Sequence, residues 1–480
     1  MGQFESTLHN ILQSKYHFKA FRSGQEETLV STLKGIPTLS ILPTGAGKSL
    51  LYQLPAYLTK GLILVISPLI SLMQDQVDRI RQHGDFKVAM LNSRLDYREQ
   101  RTILRSLSNY RFLFTSPETL VKPRVLQKLK QVSLSMLVID EAHCISQWGP
   151  NFRPEYLMLK DVIVKLQPQR LLLLTATAPQ NVAQDIIQKL GFHQHQVNVI
   201  RRSVDRPNIF LAVKSLQNEQ EKQRYLIQII RQLGNSGVIY FSSKKIANQV
   251  SKMVNQKCGL RVGVYHAGLD NVERFQIQQQ FMNNQLDLIC ATSAFGMGIN
   301  KNDLRYVIHY HLAGSLESYV QEFGRAGRDG KPALALLLYC PGDEQLQRLL
   351  SQVELPSAHV LQNFCDQKQS STILADQQEL LSFYFSHHYS IEQIQKIINE
   401  QNRLNRQRLQ IMMKYINSSQ CLRRIISEYF GENDEFNNHM CCSNDDPHWK
   451  VEDLHLPSVR LNNNGQGDQD WRQAIHQLFH

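Results

Sequence analysis

Leu42-Pro-Thr-Gly-Ala-Gly-Lys-Ser49 sets two glycines ahead of a lysine and a hydroxyl. That spacing suits the phosphates of a nucleotide. Gly45 and Gly47 permit a tight turn with backbone N–H groups facing inward. Lys48 brings a full charge for β- and γ-phosphates, and Ser49 brings a hydroxyl for Mg²⁺. The strict pattern has glycine where Leu42 stands, so a glycine-rich turn with an incidental lysine is the plain alternative. About 90 residues on, Asp140-Glu141 follows the apolar run Leu137-Val138-Ile139. A carboxylate at the end of a buried strand can hold Mg²⁺ through water, and its neighbour can orient and deprotonate the water that attacks a γ-phosphate. Adjacent carboxylates repel, so a cation is expected near them; the alternative is a solvated acidic turn.

The surrounding elements must position these groups. The run Thr38–Leu42 predicts a buried strand before the glycine turn, and Lys48–Tyr57 predicts a helix after it, with Leu50, Leu51 and Leu54 on one face. Further strand-like runs lie at Leu62–Ile66, Arg111–Phe114, Met136–Ile139 and Leu171–Leu174, with amphipathic stretches between them. Such alternation predicts a parallel sheet covered by helices, with ligands at the carboxyl ends of the strands. Asp140–His143 and Thr175–Thr177 fall at those ends.

Asp205-Arg-Pro-Asn208 reads as an interdomain turn, after which the alternation restarts at Val238–Phe241, Val262–Tyr265, Leu286–Cys290, Tyr306–His311 and Ala333–Tyr339. This second α/β domain has no phosphate loop but contains Gln321–Gly330. Arg325 and Arg328, three apart on a predicted helix, share a face, and one can reach across a cleft to stabilise charge on a transferring phosphate. A solvated basic helix is disfavoured by Gly324 and Gly327.

Two aromatic stretches flank this machinery. In Tyr16–Gln25 the amide of Gln25 can bond adenine, with Phe18 or Phe21 against the ring; the alternative is a helix start capped by Ser23 and Glu26. Ile145–Tyr156 reads as a loop, where Trp148 and Phe152 beside Arg153 suit stacking on single-stranded bases or tuck into the core.

The 480 residues suggest about three domains. Lys and Arg exceed Asp and Glu by 11, which favours a polyanionic partner, nucleic acid above all. Eight cysteines, mostly single, and no basic-then-apolar start point to a reduced, cytoplasmic protein without membrane association. From Gln401 to Arg424 there are six basic residues and no acidic ones, which suits either phosphate tracking or a solvated helix.

In this order the pieces resemble the superfamily-2 helicases, and the RecQ family specifically, closely over residues 1–345 and more loosely over 345–446. Ser146–Arg153 and Ala294-Phe-Gly-Met-Gly-Ile-Asn-Lys301 separate that family from its generic relatives. The resemblance implies an α/β fold: two tandem RecA-like domains, 1–204 and 205–345, then a helical, zinc-module-like domain, 346–446, and a tail, 447–480. It implies ATP at Phe18, Arg22, Gln25, Thr44, Gly45, Ala46, Gly47, Lys48, Ser49 and Leu50. Mg²⁺ falls to Ser49 and Asp140, catalysis to Lys48, Asp140, Glu141, Gln321, Arg325 and Arg328, with Arg328 as the finger, and DNA to Trp148, Phe152 and Arg153. The implied activity is ATP-driven 3′-to-5′ unwinding of duplex DNA in recombination and repair by a monomer, on single-stranded and tailed duplex DNA. DNA-stimulated translocation without strand separation is the alternative. Cys421–Asp446 resembles the family's zinc module, whose ligand positions read here as Cys421, His439, Cys442 and Asp445, with Cys441 adjacent. Zinc at that set, or a decayed site held by packing, are both open. The 34 residues after Asp446 are too few for the winged-helix and HRDC domains of longer relatives; Asn462–Asp468 reads as a linker to a short helix, Trp471–Phe479, that docks on the body or on a protein partner.

Overall fold

The protein is described as a computed structural model covering residues 3–146, 154–234, 236–296, 301–367, 375–432 and 441–457. Two wholly parallel sheets organise it. The first contains β1 (Thr38–Ile41), β2 (Leu62–Ile66), β3 (Val88–Leu91), β4 (Phe112–Thr115), β5 (Leu134–Ile139), β6 (Leu171–Thr175) and β7 (Asn198–Arg201), in the order β3-β4-β2-β5-β6-β1-β7. The second contains β8 (Ile209–Ser215), β9 (Gly237–Tyr240), β10 (Val262–Tyr265), β11 (Leu288–Ala291), β12 (Tyr306–His309) and β13 (Ala333–Tyr339), in the order β10-β11-β9-β12-β13-β8. The central strands are almost unbroken aliphatic runs, buried throughout, as a sheet covered by helices on both faces demands. Registers such as Ile41↔Thr175 and Ile66↔Ile139 align the carboxyl ends, so Leu42, Asp140 and Thr175 leave the sheet along one edge.

The predicted strands are present with ends shifted by a residue or two. β3, β7 and β8 are additional. β3 and β7 are four-residue edge strands, partly open to solvent, and little periodicity marks them. The helix predicted over Lys48–Tyr57 is shorter than expected. It is α-helical only from Leu50 to Gln53 and continues as a 3₁₀ turn, Leu54–Tyr57. Pro55 has no N–H to give to the preceding turn.

The helices Ala358–Gln367, Ala375–Ser386 and the first half of Ile391–Ile416 enclose a separate small core around Leu361, Phe364, Leu381, Tyr384, Ile394 and Ile398. The far half of the long helix, the helix Leu422–Phe430 and Cys441-Cys442 join the core beneath the second sheet. Cys441–Ser443 also extends that sheet. Leu211 N–H donates to Cys441 O (3.2 Å) and Ser443 N–H to Leu211 O (2.8 Å), along the outer edge of β8. On the other face Trp449 packs on Phe210, 5.1 Å between ring centres, and Val451 and Leu454 are buried. Among the described residues no helix is long and apolar enough to cross a membrane.

A buried polar cluster ties the second sheet to its flanking helices. Lys222, fully buried, donates to Asp343 (2.5 Å) and to Tyr310 O (2.9 Å). His311 Nδ1 accepts from Ser242 N–H (3.2 Å). Burial, and then the Lys222 charge, push the His311 imidazole down to about 3. A folded-state value below the unfolded one of about 6.5 stabilises the neutral ring fully above pH 6.5, and that stability is lost as pH falls toward 3. Between about pH 7 and pH 5 the parent should lose about 2 kcal/mol more unfolding free energy than His311→Asn, which keeps an acceptor without the titration. Denaturant melts at the two pH values measure this; equal losses would remove His311 from the acid response.

Candidate active site

The phosphate loop leaves β1 with Leu42 still in the sheet, its N–H donating to Thr175 O (3.1 Å). Leu42 is fully buried under Gly24, where an added β-carbon would stand 2.5 Å from Leu42 Cδ2. This position is a core position, which accounts for the missing glycine. Gly45 and Gly47 hold φ of 85° and 74°, the left-handed region that favours glycine. Among the described residues, the N–H groups of Gly47, Lys48 and Ser49 have no backbone acceptor. Turned into a bend, they make a cradle that fits phosphate oxygens. Because only one α-helical turn follows, these amides rather than a long helix dipole carry the anion affinity. Lys48 Nζ donates to Leu42 O (3.0 Å) and Pro43 O (3.4 Å). Removal from water lowers its ammonium, against the raising pull of Glu141 and Asp140.

Gln25 lies under this loop. Its Nε2 donates to Ala46 O (2.8 Å) and Gly47 O (3.3 Å), and its Oε1 accepts from Arg22 N–H (2.9 Å). Arg22 donates to Gly45 O. Both residues therefore brace the phosphate loop in this conformation. Phe18 is half exposed nearby in sequence, and Phe21 packs edge-on against His9. The capping alternative is overturned. The helix Gln25–Leu33 starts at Gly24 with φ 84°, without a side-chain cap, and Ser23 accepts instead from Arg202 Nε (2.7 Å).

Asp140 and Glu141 follow β5 at the same sheet edge. Asp140 Oδ1 accepts from Glu141 N–H (3.0 Å). Glu141 has φ 49°, unusual for a residue with a side chain and a backbone strain that marks functional sites. Burial and the Glu141 charge push the Asp140 carboxyl up to about 7. Glu141 is buried too, yet its hydrogen bond and ion contact with His143 hold it below the usual range. His143 Nδ1 lies 3.3 Å from Glu141 Oε2 and 3.0 Å from Thr175 Oγ1. His143 thus links the carboxylate pair to the end of β6, a role its sequence position alone did not disclose.

The second sheet supplies the opposite wall. The helix Leu316–Phe323, with half-buried Gln321 in its last turn, stops at Gly324. Arg325 and Arg328 lie beyond it on a turn-rich loop, not on a helix face, because Gly324 caps the helix and Gly327 turns with φ 55°. An added β-carbon at Gly45 would stand 3.7 Å from Arg328 Cγ, so Arg328 lies along the phosphate loop of the first sheet. Thr44 Oγ1 donates to Gly324 O (3.0 Å) across the same cleft. Arg325 is buried. Burial, then Arg325 and Arg206, bring the Arg328 guanidinium down to about 9, a cluster of positive charge that an anion would relieve.

Near the C-terminal helix, Cys421, Cys441, Cys442 and Asp445 place one donor atom each within 4.8 Å of one another. Cys441 Sγ lies 3.3 Å from Cys421 Sγ and 2.6 Å from Asp445 Oδ2, and Asp445 Oδ2 lies 3.1 Å from Cys442 Sγ. Cys441, noted in sequence only as adjacent, stands in this group beside Cys442. A three-sulfur, one-oxygen set of four donors this close together fits the chemistry of zinc. His439 lies outside the described residues, as do Trp148, Phe152 and Arg153. Of the basic stretch 401–424, Arg423 is buried against the interdomain turn and is unavailable for phosphate tracking, and Arg403 is paired with Glu400.

Two parallel sheets, one carrying a phosphate loop and a carboxylate pair and the other lending arginines across the cleft, define a two-domain ATPase motor of the helicase type. The DEAD/DEAH box helicase family matches residues 22–186, the helicase conserved C-terminal domain 221–330, and the RecQ zinc-binding family 388–446. A probable ATP-dependent DNA helicase RecS of Bacillus subtilis is 38% identical over all of this chain and 98% of its own length. An ATP-dependent DNA helicase RecQ of Pasteurella multocida is 40% identical over 71% of this chain, which spans about half (53%) of that relative. The DEAD-box helicase Mss116, bound to single-stranded RNA and UDP-BeF, shares the fold alone, with a TM-score of 0.60 at 14% identity, covering 89% of each chain. The chain belongs to the RecQ family of ATP-dependent DNA helicases. As an ATP-dependent DNA helicase it uses ATP and acts on DNA.

Proposed function

We propose that the protein unwinds tailed duplex DNA with 3′-to-5′ polarity, in recombination and repair, as a cytoplasmic monomer. Arg328 of the second sheet lying along Gly45 of the first is the observation that carries this reading. A nucleotide between the sheets would be read by both, so hydrolysis would open and close the cleft and step the motor along a strand. In this reading Lys48 and the amides of Gly47, Lys48 and Ser49, within the loop Thr44–Leu50, hold the phosphates. Ser49 and Asp140 hold Mg²⁺, which when bound supplies charge neutralisation. Glu141 orients water, Gln321 and Arg325 line the cleft, and Arg328 faces the γ-phosphate. Phe18, Arg22 and Gln25 are assigned to the base, for which Arg22 and Gln25 would exchange their bonds to the phosphate loop, and Trp148, Phe152 and Arg153 are assigned to stacking on single-stranded DNA. The test is displacement of a labelled strand from duplexes with a 3′ tail, a 5′ tail or blunt ends, beside ATP turnover with and without single-stranded DNA. Displacement confined to the 3′-tailed substrate supports the reading. DNA-stimulated turnover without displacement would leave a translocase, and displacement from the 5′ tail would reverse the polarity.

The sulfur cluster is proposed as a zinc site of Cys421, Cys441, Cys442 and Asp445. Elemental analysis of purified protein should find about one zinc per chain, most of it lost in Cys441→Ser, which removes a thiolate ligand. Stoichiometric zinc in that variant would move the site to His439 in place of Cys441.

A further inference from the structure

The interdomain turn Asp205-Arg-Pro-Asn208 does more than connect. The Arg206 guanidinium spans three carbonyls of the arginine loop: Nη1 donates to Gly324 O (2.7 Å), and Nη2 to Ala326 O (3.0 Å) and Gly327 O (2.7 Å). Asn208 Nδ2 adds bonds to Gly327 O (2.8 Å) and Lys331 O (2.7 Å). Gly324 O is the carbonyl that also accepts from Thr44 of the phosphate loop. A β-carbon on Gly327 would stand 2.4 Å from Asn208 Nδ2, so the fit leaves no slack. Arg206 is itself held from the far side. Asp205 Oδ1 accepts from Arg206 N–H (2.7 Å) and from buried Arg423, whose Nη1 also donates to Arg206 O (3.0 Å). Glu432, two residues past the helix Leu422–Phe430 that carries Arg423, accepts from Val204 N–H (2.8 Å) and Ser203 Oγ (2.6 Å).

From this geometry we infer that Arg206 is a positioning residue for hydrolysis, setting the loop on which Arg325 and Arg328 face the phosphates. A planar fork suits this task, because it fixes several acceptors at once where an ammonium would bind them singly. Arg206 does not touch the nucleotide in this assignment; it acts through the backbone of residues 324–327. The inference rests on the proposed role of the arginine pair, and the experiment separates the two.

Turnover of ATP with saturating single-stranded DNA is measured for the parent, Arg206→Ala and Arg328→Ala, with affinity for a fluorescent ADP analogue and thermal melting in parallel. A loop displaced by the order of 1 Å should lower kcat of Arg206→Ala about 10²-fold, with ADP affinity and melting near the parent's. Millimolar guanidinium should restore part of that turnover in Arg206→Ala and none in the parent. Parent-like turnover in Arg206→Ala beside a crippled Arg328→Ala overturns the inference alone. Parent-like turnover in both removes the arginine-loop reading and this inference with it. A fall in turnover that tracks a lowered melting point and ignores guanidinium makes Arg206 a structural residue only, which also overturns the inference.

Discussion

Arg328→Ala is expected to lower DNA-stimulated ATP turnover by about 10³- to 10⁵-fold, the range an arginine supplied to a transferring phosphoryl group commands. The side chain crosses from the second sheet to run along Gly45 of the first. Its guanidinium is brought down to about 9 by burial, Arg325 and Arg206, which leaves it charged at neutral pH and poised to gain from an incoming anion. The loss should fall on kcat, with affinity for ADP nearly unchanged, because ADP lacks the γ-phosphate. Arg328→Lys should recover little, since a point charge cannot reproduce a planar fork. Turnover within tenfold of the parent would sink this assignment and pass the role to Arg325.

Lys48→Ala should lose at least about 10²- to 10³-fold in turnover, the cost of deleting one preorganised charge-stabilising donor. The argument is electrostatic. Lys48 feels both the carboxylate pair and the arginines of the opposite wall, and its removal strips the phosphate loop of its own positive charge. DNA binding should persist, because the surplus of 11 basic residues is spread over the chain. Gel-shift titration of a single-stranded oligonucleotide, beside turnover, checks both halves. Wild-type turnover in this variant would place the nucleotide elsewhere.

The parallel sheets were legible because a strand buried on both faces is an aliphatic run, as β2 is throughout and β6 is up to Thr175, and because such strands end in polar residues where ligands gather. Local chemistry marks the glycine loop and Asp140-Glu141 as a candidate site, and the sheet register brings them to one edge. What escaped depends on partners distant in sequence. Arg206 sits in a dipeptide with proline that signals only a turn, and its three acceptors lie about 120 residues away. Spacing alone puts Arg325 and Arg328 on a helix, whereas Gly324 ends the helix before them and Gly327 turns the chain between them. Cys441 joins the sulfur cluster beside Cys442, a pairing that ligands at every third position, 439, 442 and 445, do not anticipate. The basic stretch 401–424 reads as uniform surface, yet Arg423 is buried against Asp205 from the interdomain turn.

The strand-like contact of Cys441–Ser443 along β8 also bears on how the chain is made. An uncovered strand edge offers a row of unpaired backbone groups to any neighbouring chain. Here the seal arrives late: Val213 N–H donates to the Ser443 hydroxyl 230 residues further on (3.2 Å). At about 5–20 residues per second of synthesis, β8 waits on the order of ten seconds or more for its cover. Nascent chains and fragments ending before residue 441 should therefore be the aggregation-prone species of this protein, and the sulfur cluster that organises Cys441–Ser443 doubles as the clasp that closes the edge.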